Sequence, residues 1–445
     1  MPTAGGARRG GRLRPALPAQ AAVNTTLDRA AVDVLLANWT GAYTVPSRAL
    51  YPHQWSWDSA FVAIGLRHVS ARRAQRELES LFGAQWADGR VPHIVFDPAA
   101  APEGYFPGPD FWRSTDHPAS PAVATSGLVQ PPVHALAAWL TFRADPAQAR
   151  CRGFLPRLYP RLVAWHRYLA TRRGVDDLVA IVHPWESGMD NSPAWDDALC
   201  RVEPTPTHGF RRRDLHHVQA AERPTDTDYG RYVRLAGDYR DSGYADRLAD
   251  AQFVLLDPMV NALYAASESA LADIAAEIGA DPRPHREAAE RTGTALVARL
   301  FADGFCHAYD VHERRLDRQR TVAGLTPLVV ADLPVAPALV KSALGDHFRL
   351  GRTALPPSYD LTGPAFDPDR YWRGPGWFNT TWLVWHGLTQ HGELDHAGRL
   401  RDATLTAARQ AGFREYLHPF TGEGRGATDF SWTAAVVLDL LRTAP

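Results

Sequence analysis

Helical periodicity recurs along nearly the whole chain, while strand-like alternation is scarce, and this pattern constrains the fold more than any other feature. Residues 27–38 place Leu27, Ala31, Val34 and Leu35 on one face, with Thr25 or Thr26 available as a cap. Residues 71–86 repeat the pattern with Ala74, Leu78, Leu81 and Phe82, and Gly89 follows just past the end. Further segments read as helices over about 59–68, 129–143, 155–172, 229–239, 258–278, 285–301, 336–344, 376–390, 395–411 and 431–442. About twelve helices is well above the helical share of an average domain. The connections include long Pro/Gly/Trp-rich stretches at 92–121 and 180–224, and long loops in a compact chain are usually functional. Twelve helices in pairs, with such loops gathered on one face, predict an all-α (α/α)6 barrel. No fixed 34- or 40-residue repeat supports an α-solenoid instead.

Composition narrows the function. The chain has 445 residues, is 45% hydrophobic and 22% charged, and carries a formal net charge of −1. A sizeable core is therefore expected, and the charge balance argues against a nucleic-acid or anionic-membrane partner. No apolar run of 18 residues is present, so no membrane helix is expected. Cys151, Cys200 and Cys306 are odd in number and far apart, which argues against a disulfide framework or zinc site and favours a reducing cytoplasm. Residues 1–22 are rich in Gly, Arg, Pro and Ala and read as a disordered leader without a signal-peptide core. No internal linker breaks residues 23–445, so one catalytic domain is expected. Self-association is compatible with the sequence and not specified by it.

The long loops hold four clusters in which acids stand among aromatic rings. YPHQWSWDS at 51–59 leads into a helix; Asp58 suits that helix's N-terminus, but Tyr51, Gln54, Trp55 and Asp58 also form a set able to stack on a sugar and bond its hydroxyls. HPWESGMDNSP at 183–193 carries Trp185, Glu186 and Asp190, with Gly188 and flanking prolines favouring a rigid loop. YWRGPGWFN at 371–379 offers Tyr371, Trp372 and Trp377 around a Gly-Pro-Gly turn. TGEGRGATDFSWT at 421–433 sets Glu423 between glycines. No strand precedes it and no GK[ST] follows, so a phosphate loop is not supported. Paired carboxylates beside rings are what glycosidic bond hydrolysis needs, and no cofactor or metal is called for, since no His/Asp cluster has ligand spacing. A catalytically dead sugar-binding barrel or a helical scaffold would not need both acids.

Together the four motifs, in this order, resemble glycoside hydrolase family 63, most closely its bacterial mannosylglycerate and glucosylglycerate hydrolases, over about residues 25–443. The resemblance implies an (α/α)6 barrel, anomeric inversion, Asp190 as general acid and Glu423 as general base. In inversion the acid protonates the leaving oxygen while the base activates a water on the opposite face. Asp190 then needs a raised pKa, for which Glu186 is a candidate neighbour, and Arg425 would keep Glu423 ionised. The resemblance also gives Arg223 as a carboxylate-binding arginine assisted by Tyr229, with the loop 105–113 and Gln130 as further candidates for that subsite. The expected substrate is a small glycoside, glucosylglycerate or mannosylglycerate; the alternative is a neutral disaccharide cleaved by an α-glucosidase or trehalase-like enzyme.

Overall fold

The computed structural model describes residues 19–101, 105–210, 212–216 and 219–443. The helix Ser56–Leu66 is buried at every position, as its apolar, small-residue sequence SWDSAFVAIGL requires. It packs on His134–Ala144, which packs on Pro258–Ile278. That helix meets the short 3-10 turn Thr326–Val329, followed around the ring by Phe378–Gln390 and Ser431–Arg442, which returns to Ser56–Leu66. Six segments thus close an inner ring.

A second layer covers it. Ala19–Ala37 lies on Ser431–Arg442; Ala71–Gly83 lies on Ser56–Leu66 and His134–Ala144; Phe154–Arg172 lies on His134–Ala144 and Pro258–Ile278. Arg283–Leu300, Ala336–Leu344 and Leu394–Ala411 complete the outer ring. These outer helices are one-sided: Ala71–Gly83 buries Ala74, Gln75, Glu77, Leu78, Leu81 and Phe82 and turns its arginines outward. The architecture is the expected (α/α)6 toroid, with two departures. The inner position between Pro258–Ile278 and Phe378–Gln390 holds the 3-10 turns Val322–Gly324 and Thr326–Val329 rather than an α-helix, and Asp332, at φ 53°, follows them. The helix expected around 229–239 exists as Asp226–Asp241 but stands outside both rings, against Pro109–Trp112 and Thr207–Gly209.

Three inner helices are preceded by large rings: Trp55, Trp377 and Phe430 are their N-cap residues. Short antiparallel pairs fasten the loops at this end. Gln54–Trp55 pairs with Ile94–Val95, and Gly376–Trp377 pairs with Tyr416–Leu417, which pairs in turn with Gly424–Arg425. Of the leader expected over 1–22, residues 1–18 lie outside the described residues, and helix Ala19–Ala37 begins inside it. Among the described residues, no helix is long and apolar enough to cross a membrane.

Ring closure has a tight point. A Cβ on Gly65 would overlap the backbone of Ala435 in the adjacent inner helix. Alanine is the better helix former by about 1 kcal/mol, but overpacking a close helix contact costs about 1–3 kcal/mol. Gly65→Ala should therefore lower the urea unfolding midpoint; a rise would show that this crossing is not tightly packed.

Candidate active site

A cleft of about 920 Å3 opens at the end of the ring where the inner helices begin. Among the candidates, Tyr51, Trp55, Asp58, Gln130, Trp185, Asp190, Arg223, Tyr229, Tyr371 and Trp372 line it. The same wall includes Glu415, Arg213, Asp214, Tyr105, His93 and Trp432.

Asp190 follows the 3-10 turn Pro184–Ser187, which ends at Gly188 with φ 72°. A Cβ on Gly188 would come within 2.6 Å of the Trp57 ring, so only glycine lets that ring pack against the turn. The Tyr232 hydroxyl donates to the Asp190 carbonyl at 3.0 Å, and Asn191 Oδ1 accepts from the Trp372 amide at 2.9 Å. Burial pushes the Asp190 carboxyl up to about 7; Arg223 opposes this and Glu415 adds to it. Asp58, 4% exposed in the first turn of its helix, is pushed well above the ordinary carboxylate range, chiefly by burial and further by Glu415. It fulfils both expectations at once, lying at a helix N-terminus and lining the cleft.

Besides Asp190, Asp58 and Asp214, the cleft wall carries Glu415, which sequence reasoning did not single out. It is 1% exposed and accepts from the Tyr51 hydroxyl at 3.0 Å and the Ala427 amide at 2.9 Å. Arg223 Nη2 donates at 3.4 Å to Glu415 Oε2, the oxygen that the Ala427 amide also reaches, while Arg223 Nη1 donates to the Tyr51 hydroxyl at 3.0 Å. A Cβ on Gly426 would collide with the Glu415 carboxylate, so this glycine of the 421–433 motif admits Glu415. Glu423, the expected base, lies elsewhere. Tyr416 pairs with Arg425 and Leu417 with Gly424, so Glu415 occupies the cleft end of a hairpin and Glu423 its far end, roughly 10 Å along the strand. The Glu423 side chain is 65% exposed and pairs with Arg425 at 2.7 Å, which lowers its pKa as expected but outside the cleft.

Three other expectations are corrected. Gln54 is buried away from the cleft, donating to Ser59 Oγ at 2.9 Å and the Glu77 carbonyl at 3.2 Å. Glu186 cannot tune Asp190 as a neighbouring charge in the cleft, because Arg173 grips it with bonds of 2.7 and 2.9 Å. Its carboxylate also accepts from the Val182 amide at 2.8 Å and the Val129 amide at 3.3 Å, so it pins the acid loop to the irregular segment just before Gln130. Trp377 is fully buried behind Trp372, the rings stacked at 3.7 Å and within 3° of parallel. Trp377 supports a wall that Trp372 presents.

Arg223 does not brace its own loop through Asp226 or Asp228, which pair instead with Arg212 and with Thr225 and Arg231. Its guanidinium lies 4.5 Å over the Tyr371 ring, and its buried Nε has no hydrogen-bond partner among the described residues. Tyr229 lines the cleft, donates to the Phe106 carbonyl at 2.9 Å and carries Arg212 over its ring at 4.6 Å, so it holds a neighbouring loop and not Arg223. Gln130 Oε1 accepts from the Trp57 amide at 3.1 Å. Among the described residues, no group of three or more His, Cys, Asp or Glu side chains has the arrangement of a metal site.

With this geometry in place, comparison with known proteins is decisive. A family model of the mannosylglycerate hydrolase MGH1-like glycoside hydrolase domain matches residues 51–433. The chain belongs to this glycoside hydrolase family. It is 40% identical over 425 residues to a mannosylglycerate hydrolase of Rubrobacter radiotolerans, covering 92% of this chain and 95% of that one. It is 37% identical over 440 residues to a glucosylglycerate hydrolase of Mycolicibacterium hassiacum, covering 94% and 98%. The crystal structure of a family 63 mannosylglycerate hydrolase from Thermus thermophilus, in complex with Tris and D-glycerate, superposes with a TM-score of 0.85 at 39% identity. It covers 94% of this chain and 100% of that one. The chain is a glycoside hydrolase with the toroidal fold of family 63.

A carboxyl whose folded pKa stands near 7 binds its proton more tightly than in the unfolded chain, where an aspartate titrates near 3.9. Its contribution to stability is present below about pH 4 and lost as pH rises through about 7. Asp190→Asn should therefore gain stability over the parent between pH 4 and 8, by about 1–3 kcal/mol given the partly hydrated cleft. Melting curves of both proteins across that range check this; a difference that stays flat with pH would contradict the shift.

Proposed function

We propose that this glycoside hydrolase is an inverting α-glycosidase acting on a small glycoside with a glycerate leaving group, glucosylglycerate or mannosylglycerate. The observation that carries the reading is the pairing of Asp190, raised toward neutrality, with Glu415, anchored by Tyr51 and Arg223, in one aromatic cleft. Asp190 holds a proton for the leaving oxygen, and Glu415 takes a proton from a water attacking the opposite face. Trp372 offers a flat, backed surface for the sugar ring, and Asp58, whose carboxyl burial pushes well above the ordinary range, lies in the wall within reach of the sugar's hydroxyls. Arg223 keeps one unpartnered Nε–H for an anionic group of the substrate.

The named relatives act on mannosylglycerate and glucosylglycerate, and one solved relative holds D-glycerate, which favours a glycerate aglycone over a neutral disaccharide. No metal or other cofactor enters the proposed mechanism. The reading of residues 23–445 as one catalytic domain is supported by the family match across 51–433 and by core residues that run from Leu27 to Leu440. The three cysteines are unpaired, which supports a reducing compartment such as the cytoplasm.

Asp190→Asn and Glu415→Gln should each fold and lose about 10²–10⁴-fold in kcat on a cleaved glycoside, while Glu423→Gln stays within about threefold of the parent. Initial rates on purified variants check all three. A severe loss in Glu423→Gln with an active Glu415→Gln would return the base to the hairpin's far end.

A further inference from the structure

Behind the cleft wall sits a carboxylate that the proposed reaction does not use. The Asp246 side chain is 4% exposed; burial alone would raise its carboxyl, but Arg173 and Arg90 hold it below the ordinary range. Its Oδ1 accepts from Arg173 Nε at 2.8 Å and from the Tyr239 hydroxyl at 2.6 Å. Its Oδ2 accepts from the Tyr168 hydroxyl at 2.8 Å and from Arg90 Nη2 at 3.4 Å. Both oxygens are therefore engaged, and none of these partners lines the cleft.

The contacts of Arg173 lead from Asp246 to the cleft. Its Nε is on Asp246, its Nη1 and Nη2 reach the Glu186 carboxylate at 2.7 and 2.9 Å, and Nη2 also donates to the Tyr239 hydroxyl at 3.2 Å. A guanidinium is planar and rigid, so once Nε is fixed the fork can point only one way. Glu186 lies in the 3-10 turn Pro184–Ser187, and Asp190 follows four residues later. Tyr239 belongs to Asp226–Asp241, the helix outside both rings, so the same carboxylate ties that helix to the scaffold. A buried ion network adds little net stability over apolar packing of the same volume; what it supplies here is a fixed geometry.

We propose that Asp246 is a positioning residue for the general acid: it aims Arg173 at Glu186, and Glu186 fixes the turn from which Asp190 meets the leaving oxygen. This rests on the assignment of Asp190 as the acid. Asp246 touches neither the substrate nor the reacting atoms, so its replacement impairs proton delivery and leaves sugar binding in place.

The test compares the glycerate glycoside that the enzyme cleaves with the α-fluoride of the same sugar, because fluoride departs with little need of a donated proton while a glycerate oxygen requires one. Asp246→Asn should lower kcat on the glycerate glycoside by about 10–10²-fold, with KM and the fluoride rate each within about threefold of the parent. Tyr239→Phe keeps the ring and removes one donor to Asp246. It should separate the two substrates in the same sense by a smaller factor, and it decides the matter if Asp246→Asn does not fold. Equal losses on both substrates, or a change in KM or melting temperature without the difference in kcat, would overturn the inference. Asp190→Asn separates the two claims: if it loses as much on the fluoride as on the glycoside, the acid assignment fails and this inference with it.

Discussion

A carboxylate with almost no solvent exposure is tolerated only when donors replace its water, and the donors around Glu415 organise this active site. The Tyr51 hydroxyl comes from the segment entering one inner helix, Arg223 from the long loop before Asp226–Asp241, and the Ala427 amide from the hairpin's return strand. Three segments distant in sequence meet on one side chain. The consequences reach the acid as well: Glu415 helps raise the carboxyls of Asp190 and Asp58, while Arg223 restrains Asp190. Removing any donor leaves a buried charge short of partners and shifts the proton balance of both aspartates.

The double ring supplies the rigidity this needs. Inner helices made of small and apolar residues pack without a polar face, so their N-terminal ends carry the polar groups, and the long loops converge there. Glu186 shows how a loop becomes part of the scaffold. Fully paired with Arg173, it accepts from amides before both Asp190 and Gln130, which fixes one cleft wall relative to the other. Asn191, bonded to the Trp372 amide, extends the same tie to the ring-stacking wall.

Much of this was readable in the sequence. Periodicity located the twelve expected helices, most of them to within a few residues, since burial of an i, i+3, i+4 stripe leaves a direct trace; the first begins well before its expected start, at Ala19, and the one expected from 129 begins at His134. It assigned Asp226–Asp241 to the barrel, however, because amphipathic helices that cap a cleft and helices that line a ring share that trace. The clusters rich in tryptophan marked the cleft, because Trp55, Trp185 and Trp372 sit in a short strand, a 3-10 turn and a turn between the ring helices rather than within those helices. The proposed base was missed for a specific reason. Glu415 immediately precedes the short strand Tyr416–Leu417, where an acid reads as an outward residue, while Glu423 stands among glycines that suggest close approach to a ligand. The alternation Phe413, Glu415, Leu417 places the acid on a buried face, which was the available signal. Gln54 and Glu186 share motifs with true lining residues, and motif membership does not reveal which way a side chain turns.

The central claim is a single displacement, with Asp190 on the leaving-group side and Glu415 serving the attacking water. Proton NMR of the sugar in the first moments of hydrolysis of an α-glycoside reads this directly, before mutarotation mixes the anomers. The β-anomer should appear first, because one water displacement inverts the centre. The α-anomer appearing first would require a covalent glycosyl-enzyme and would contradict the assignment of Glu415 as a base.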